Sequence, residues 1–178
     1  MDILSHALWA GAAAEGLRRT SGAGRSQVVL AVALGALPDI AQLLPIAAWG
    51  LATGDASVIG LFAMATPGNE PLIPDSVRMA SHHLHCSLHS VPIAAAVGVV
   101  AWHIRRGLWI PLVGWWLHIA LDIPTHSRDY YAVPFLYPFT YWAFDGVPWT
   151  NSWILGMNYT ALAATYGWLW RGRANPRG

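Results

Sequence analysis

The 24 residues from Val28 to Leu51 carry a single charged side chain, Asp39. A helix of that length rises ~36 Å, enough to cross the ~30 Å hydrocarbon core of a bilayer. Four more apolar runs accompany it: Met1 to Leu17, Ser90 to Ile104, Leu108 to Ile123 and Trp153 to Trp170. The chain is 55% hydrophobic and 11% charged and has no lysine, whereas soluble domains carry about a quarter charged residues. The pattern predicts a single all-α domain over residues 1–178, an integral membrane bundle of about five transmembrane helices. A secretory signal needs a positive segment before its apolar core. Here the first charge is Asp2 and the arginines follow, so the first run is expected to be a retained, short helix. Pro38 predicts a bend within the second span, and Pro124 the end of the fourth. The formal net charge of +1 without a clustered basic face argues against a nucleic-acid binder. The lone Cys86 excludes an internal disulfide and reads as a small buried filler.

Arginine placement sets the orientation. Eight of the ten arginines, at positions 18, 19, 25, 105, 106, 171, 173 and 177, fall at ends that five alternating spans put on one side. The positive-inside rule makes that side cytoplasmic. The N-terminus and the loops over 53–88 and 127–152 then face outward, across a bacterial-type inner (plasma) membrane.

Chemistry concentrates on the outer side. In the run Gly114-Trp-Trp-Leu-His118-Ile-Ala-Leu-Asp122-Ile-Pro124-Thr-His126, an imidazole and a carboxylate stand four residues apart and share a helix face. Neither is cheap to bury among Leu, Ile and Trp unless it is paired or coordinated. Asp39, inside the second span, has the same difficulty. His82, His83, His85 and His89 crowd the approach to the third span; His85 and His89 share a face, and His83 points elsewhere. His103, beside Arg105, reads as interfacial. In the five-span topology His6, Asp39, His89, His118, Asp122 and His126 all fall in or beside the outer leaflet. Two intramembrane carboxylates at one depth with several imidazoles are expected to meet around a metal. Such a donor set suits zinc first, with manganese or iron as alternatives, as one ion or two. His126 and His85 are the next candidates, for a second ion or, for His85, for contact with substrate.

Ser5-His6-Ala7, Gly35-Ala-Leu-Pro38-Asp39-Ile, Leu88-His89-Ser90, His118-Ile-Ala-Leu-Asp122 and Leu136-Tyr137-Pro138-Phe139 occur in this order. Together they resemble the YdjM-type family of predicted membrane-bound metal-dependent hydrolases. The resemblance implies that His6, Asp39, His89, His118 and Asp122 are ligands. The chain departs where many members have His-Arg-Gly before the His-Ser pair and it has His85-Cys86-Ser87. More distantly, the order of His, Asp, His and H-x-x-x-D is similar to the zinc ligands of the phospholipase C and P1 nuclease superfamily. The second H-x-x-x-D/E pair of that superfamily is absent after His126, which implies one or two ions.

The expected function is therefore a membrane-bound metal-dependent hydrolase, a phospholipase-like phosphoesterase. It would cleave a phosphoester or other ester of a lipid or lipid-linked substrate at the outer leaflet, using metal-activated water. Asp39 is the expected general base, with Asp122 as the second catalytic carboxylate, and Arg128 is expected to meet the anionic group. The aromatic stretch Phe135 to Trp142 reads either as the entrance or as an interfacial belt. A transporter would also place His and Asp in its spans but would distribute polar groups over both leaflets. A heme or quinone redox protein would use paired histidines, and the carboxylates disfavour it.

Overall fold

The computed structural model describes residues 1–65, 69–129 and 131–174; Arg177, one of the orienting arginines, lies outside them. The regular elements are helical: α1 (Ile3–Ser21), α2 (Arg25–Gln42), α3 (Leu44–Thr53), α4 (Ser57–Ala63), α5 (Asp75–Leu88), α6 (Val91–Ile104), a 3-10 turn (Arg106–Leu108), α7 (Trp109–Thr125) and α8 (Ser152–Ala174). At the centre α1, α2 and α7 pack on one another; α5 lies against α2 and α3, α6 against α7, and α8 against α1.

Small residues allow the central contact. A Cβ on Gly114 of α7 would stand 2.1 Å from the Ala31 carbonyl oxygen of α2, and one on Gly35 of α2 would stand 2.6 Å from the Ala10 Cβ of α1. Only glycine lets these backbones approach so closely. Ala14, Ala31 and Ile110 fill the space beside them. At its start α1 is fixed by Asp2, whose carboxylate accepts from the Ser5 backbone N–H at 2.9 Å. Ser5 Oγ in turn accepts from Asn158 on α8 at 2.7 Å, and Asn158 accepts from Trp9 at 2.8 Å.

A bend follows Pro38 by five residues. Pro38 is buried within α2, and the chain turns by 51° at Leu43, between α2 and α3. Pro45 is the cause: it lacks the N–H that would bond Ala41, its ring clashes with that carbonyl, and it is tolerated only in the first turn of a new helix. A second bend, of 60°, separates α5 from α6 at His89–Ser90. Ser90 caps α6 by accepting from Ile93 N–H at 3.1 Å, and Pro92 follows in the first turn. The groups freed at this bend find partners elsewhere. The Leu88 carbonyl accepts from the Trp115 indole at 2.6 Å, and Val91 N–H donates to the Phe135 carbonyl at 2.8 Å. Ser90 Oγ donates to the Tyr137 carbonyl.

Five separate spans are thus replaced by eight α-helices among the described residues. No single one of them is long and apolar enough to cross a membrane; α2 with α3, and α5 with α6, meet that requirement only as bent pairs. Hydropathy adds residues along the sequence and does not register a change of axis. α7 extends one residue past Pro124, to Thr125, and its last carbonyls are met from the following loop: Val147 N–H donates to Pro124 O at 3.0 Å and Trp149 N–H to Thr125 O at 2.8 Å. α6 is apolar but for His103 yet buries only Ala94, leaving Val99, Val100 and Ile104 exposed. An apolar surface of this kind marks an interaction with lipid or protein.

The basic ends come together. Arg19 of α1 donates to the Leu169 carbonyl of α8 at 2.7 Å, and Gln27 of α2 donates to the Gly107 carbonyl at 2.9 Å. Arg18, Arg19, Arg25, Arg105, Arg106 and Arg171 therefore occupy one end of the bundle. His6 lies 12 residues before Arg18 on α1, ~18 Å away along the helix axis, at the opposite end.

Candidate metal centre

His6 comes from the start of α1, Asp39 from the last turn of α2, His89 from the α5–α6 bend, and His118 and Asp122 from one face of α7. All five are buried. Asp122 is the hub. Its Oδ1 lies 2.9 Å from His6 Nε2, and its Oδ2 lies 3.1 Å from His89 Nε2 and 3.2 Å from His118 Nε2. Asp39 closes the other side: its oxygens lie 3.9, 3.8 and 3.8 Å from the same three nitrogens of His6, His89 and His118. The His6 and His118 rings stack with centroids 3.7 Å apart. The Met1 amino group reaches Asp122 Oδ1 as well. Within this arrangement, one ligand atom each from Asp39, His89, His118 and Asp122 fall within 4.8 Å of one another.

The second nitrogens decide what these atoms do. His118 Nδ1 stands 2.7 Å from the Gly35 carbonyl and His89 Nδ1 stands 2.8 Å from the His85 carbonyl. A carbonyl only accepts, so both rings carry their proton on Nδ1 and present a lone pair on Nε2. Those two Nε2 atoms nevertheless stand 2.9 Å apart. Two lone pairs at that distance repel unless a metal ion or a shared proton lies between them. Burial adds to the case: His6 Nε2, Asp39 Oδ2 and Asp122 Oδ2 have no hydrogen-bond partner, although Asp122 is within 3.2 Å of three imidazoles. Ligand atoms that converge on a common point, rather than on each other, show this combination of short distances and unmade hydrogen bonds. The donor set of imidazole nitrogen and carboxylate oxygen fits a divalent ion, and the backbone carbonyls behind His89 and His118 are the outer-shell partners that such ligands require.

A cavity of about 340 Å³ opens beside the cluster, lined among others by Asp39, Gln42, His85, His126 and Tyr131. His126 is buried next to the hub: its Nδ1 lies 3.4 Å from Asp122 Oδ1 and 3.2 Å from the Asp122 carbonyl oxygen. It stands beside the four-residue group rather than in it. His85 lies one shell further out, with its ring 4.1 Å from that of His89. Asp2, also on the cavity wall, accepts from Ser5 and Tyr159. Burial pushes its pKa up, but these hydrogen bonds outweigh burial and hold it below the usual carboxylate value.

Arg128 stands outside the wall of that cavity. Its Nε donates to the Ala143 carbonyl at 3.0 Å, its N–H to Asp145 at 2.9 Å, and its guanidinium lies 5.8 Å from the Trp142 ring centroid. It clamps the loop after α7 and does not line the cavity. Phe139, Tyr141 and Trp142 are exposed and do not line that cavity either. His82 and His83 are exposed, and Cys86, buried, lies 3.5 Å from His82 Nε2 and apart from the cluster. His103 is exposed, at the arginine end.

The profile of the YdjM inner membrane protein family matches residues 1–176. The chain belongs to that family. Neither a curated protein nor a solved structure matches it. For this YdjM-family member the shared motifs now have physical meanings. Asp39, His89, His118 and Asp122 supply the converging atoms. Ser5 ties α1 to α8, and Gly35 supplies both the close helix contact and the carbonyl that orients His118. Residues 135–137 hold the bend that aims His89. Gly35, Gly114, Trp115 and Phe135 were not legible as site residues, since each acts through backbone or shape. Their sequence signal was placement alone: Gly35 inside the Gly-Ala-Leu-Pro-Asp motif, Gly114 and Trp115 in the run that carries His118 and Asp122, and Phe135 at the start of the aromatic stretch.

Proposed function

We propose that this protein is a membrane-bound metal-dependent hydrolase that cleaves a phosphoester, or another ester, of a lipid or lipid-linked substrate. The observation that carries the reading is the 2.9 Å approach of the His89 and His118 Nε2 atoms, both in the ligand tautomer, against two buried carboxylates. Asp39, His89, His118 and Asp122 would hold the ion, with His6 as a fifth donor; zinc suits the set best, and manganese or iron fit it too. A bound divalent ion supplies positive charge that polarises an ester and acidifies water. Asp39 is the general base: its Oδ2 is buried without a partner, its residue lines the cavity, and Gln42 orients its other oxygen from 3.4 Å. Asp122 at the hub holds the three imidazoles in position. His126 borders the space where substrate sits.

The membrane reading draws on the family and on the apolar outer faces of α6 and α8, where Val99, Val100, Trp153 and Trp168 are exposed. Arginines at one end of the bundle and the cluster at the other favour a multi-pass arrangement with the cluster on the periplasmic or extracellular side. A headgroup at that interface would reach the cavity while its chains remain in lipid.

Metal analysis of the detergent-purified protein by mass spectrometry tests the site. Wild type is expected to retain zinc, or to take up zinc or manganese on loading, and His118→Ala to lose it. Uptake that is absent in wild type, or unchanged in His118→Ala, overturns the metal centre. A screen over phospholipids and other phosphoesters then tests turnover. Bound metal with no hydrolysis by any of them would move the assignment to transport or metal binding.

A further inference from the structure

The cavity beside the cluster, about 340 Å³, adjoins a larger one of about 570 Å³, and Phe62, His85 and Tyr131 line both. These volumes lie in the ~300–1,000 Å³ range of small-molecule sites. The shared wall is an aromatic joint. Tyr131 meets Phe62 edge-on with ring centroids 6.0 Å apart, and it meets His85 edge-on at 5.7 Å. Tyr131 also holds a positive φ of 51°, a conformation costly for a bulky side chain and concentrated at binding sites.

His85 is the chemically informative part of the wall. Its Nε2–H donates to the Ala132 carbonyl at 3.3 Å, which leaves Nδ1 as a lone pair, buried and without a partner. Such an acceptor is costly to leave unmet and calls for a donor. The larger cavity is lined by groups of both signs, Arg78 with Glu70 and Asp129, and Arg78 already donates to Asp75. A neutral hydroxylated group suits that lining better than a charged one.

We propose that the larger cavity is a second subsite, holding the alcohol half of a phosphoester whose phosphoryl group lies at the metal cluster, with His85 Nδ1 accepting a hydrogen bond from a hydroxyl of that alcohol. The proposal rests on the hydrolase reading above and assigns its substrate class: phosphoesters of a polyol, such as a glycerol headgroup. In the reaction a P–O bond to water forms and the P–O bond to the alcohol breaks. The proton lost by water ends on the departing alcohol, which leaves through the larger cavity.

Titration calorimetry on the detergent-solubilised, zinc-loaded full chain tests this with three probes: inorganic phosphate, glycerol 3-phosphate and phosphoethanolamine. Wild type should bind glycerol 3-phosphate about tenfold more tightly than inorganic phosphate, the scale of one well-made hydrogen bond to a subsite. His85→Phe, which keeps a ring but removes the acceptor, should erase that preference. His82→Trp should act likewise, because His82 lines only the larger cavity and is exposed. Two variants on separate faces of the cavity, each checked for metal content, keep the outcome readable if one misfolds. A preference that is absent in wild type, or intact in both variants, overturns the subsite while the hydrolase reading stands. Tighter binding of phosphoethanolamine than of glycerol 3-phosphate overturns the hydroxyl assignment. Binding of no probe by metal-loaded wild type overturns both readings.

Discussion

His89 and His103 make the same local hydrogen bond: each ring donates from Nδ1 to the carbonyl four residues earlier, His85 at 2.8 Å and Val99 at 2.9 Å. His103 stands on the exposed side of α6 near Arg105 and Arg106, where its other nitrogen meets nothing described. His89 stands 14 residues earlier, at the bend, where its Nε2 is brought within 3.8 Å of Asp39, Asp122 and His118. The wider surroundings differ in the same sense. At the arginine end, Arg18 and Arg19 reach Glu15 from the same helix at 2.7 and 3.3 Å and stay partly exposed. At the other end Asp122 is fully buried among imidazoles from three separate segments. Local chemistry is alike at the two ends; the bend and the close packing of α1, α2 and α7 make one of them a site.

The sharpest way to test this contrast is at Asp39. Asp39→Asn should lower turnover by ~10²–10⁴-fold, the usual share of a general base, while the fold persists, as judged by circular dichroism and an unchanged elution volume. Wild-type turnover in this variant would remove Asp39 from the chemistry and leave the two ends less different than they look. Gly114→Ala comes next, since its Cβ would lie 2.1 Å from the Ala31 carbonyl. Separating α7 from α2 should cost at least ~3 kcal/mol, the upper part of the overpacking range, and should abolish metal uptake through loss of the helix contact. A correctly folded, metal-binding Gly114→Ala protein would show that close packing is not what assembles the cluster.

A smaller effect is expected at the bend. Ser90→Ala removes the α6 cap and the bond to Tyr137, and should destabilise by ~1 kcal/mol while weakening metal affinity, measured by competition with a chelating dye. Unchanged metal affinity would mean that the helices alone aim His89. The smallest effect belongs to the arginine end: Arg18→Ala should leave melting temperature and metal content at wild-type values, because partly exposed ion pairs contribute little. A loss of metal in Arg18→Ala would break the contrast outright.

Much of the candidate site was legible because burying Asp39, His118 and Asp122 in apolar runs is costly in any fold, and the i, i+4 spacing of the last two permits only one shared face. His6 and His89 were legible through their depth once the arginines were placed. The contacts of Arg128 were not legible, since a loop side chain has no periodicity to orient it and its partners Ala143 and Asp145 lie 15 and 17 residues away. The path of the helices was only partly legible. Pro38 and Pro45 carry the same local preference, and the chain turns at the second because α2 continues past Pro38 to bury Asp39 against α1 and α7.

The sequence by itself determined the helical character of the chain, the polarity of its ends and the residues that cannot be buried without a partner, since these follow from local propensity, hydropathy and the cost of desolvating charge. Tertiary structure alone decided the distances that make a site: the glycine-mediated contacts of α1, α2 and α7, the carbonyls that turn two Nε2 lone pairs inward, and the loop backbone that holds the bend at His89. Those features depend on which backbones meet, and backbone proximity between distant segments leaves no pattern in the order of side chains.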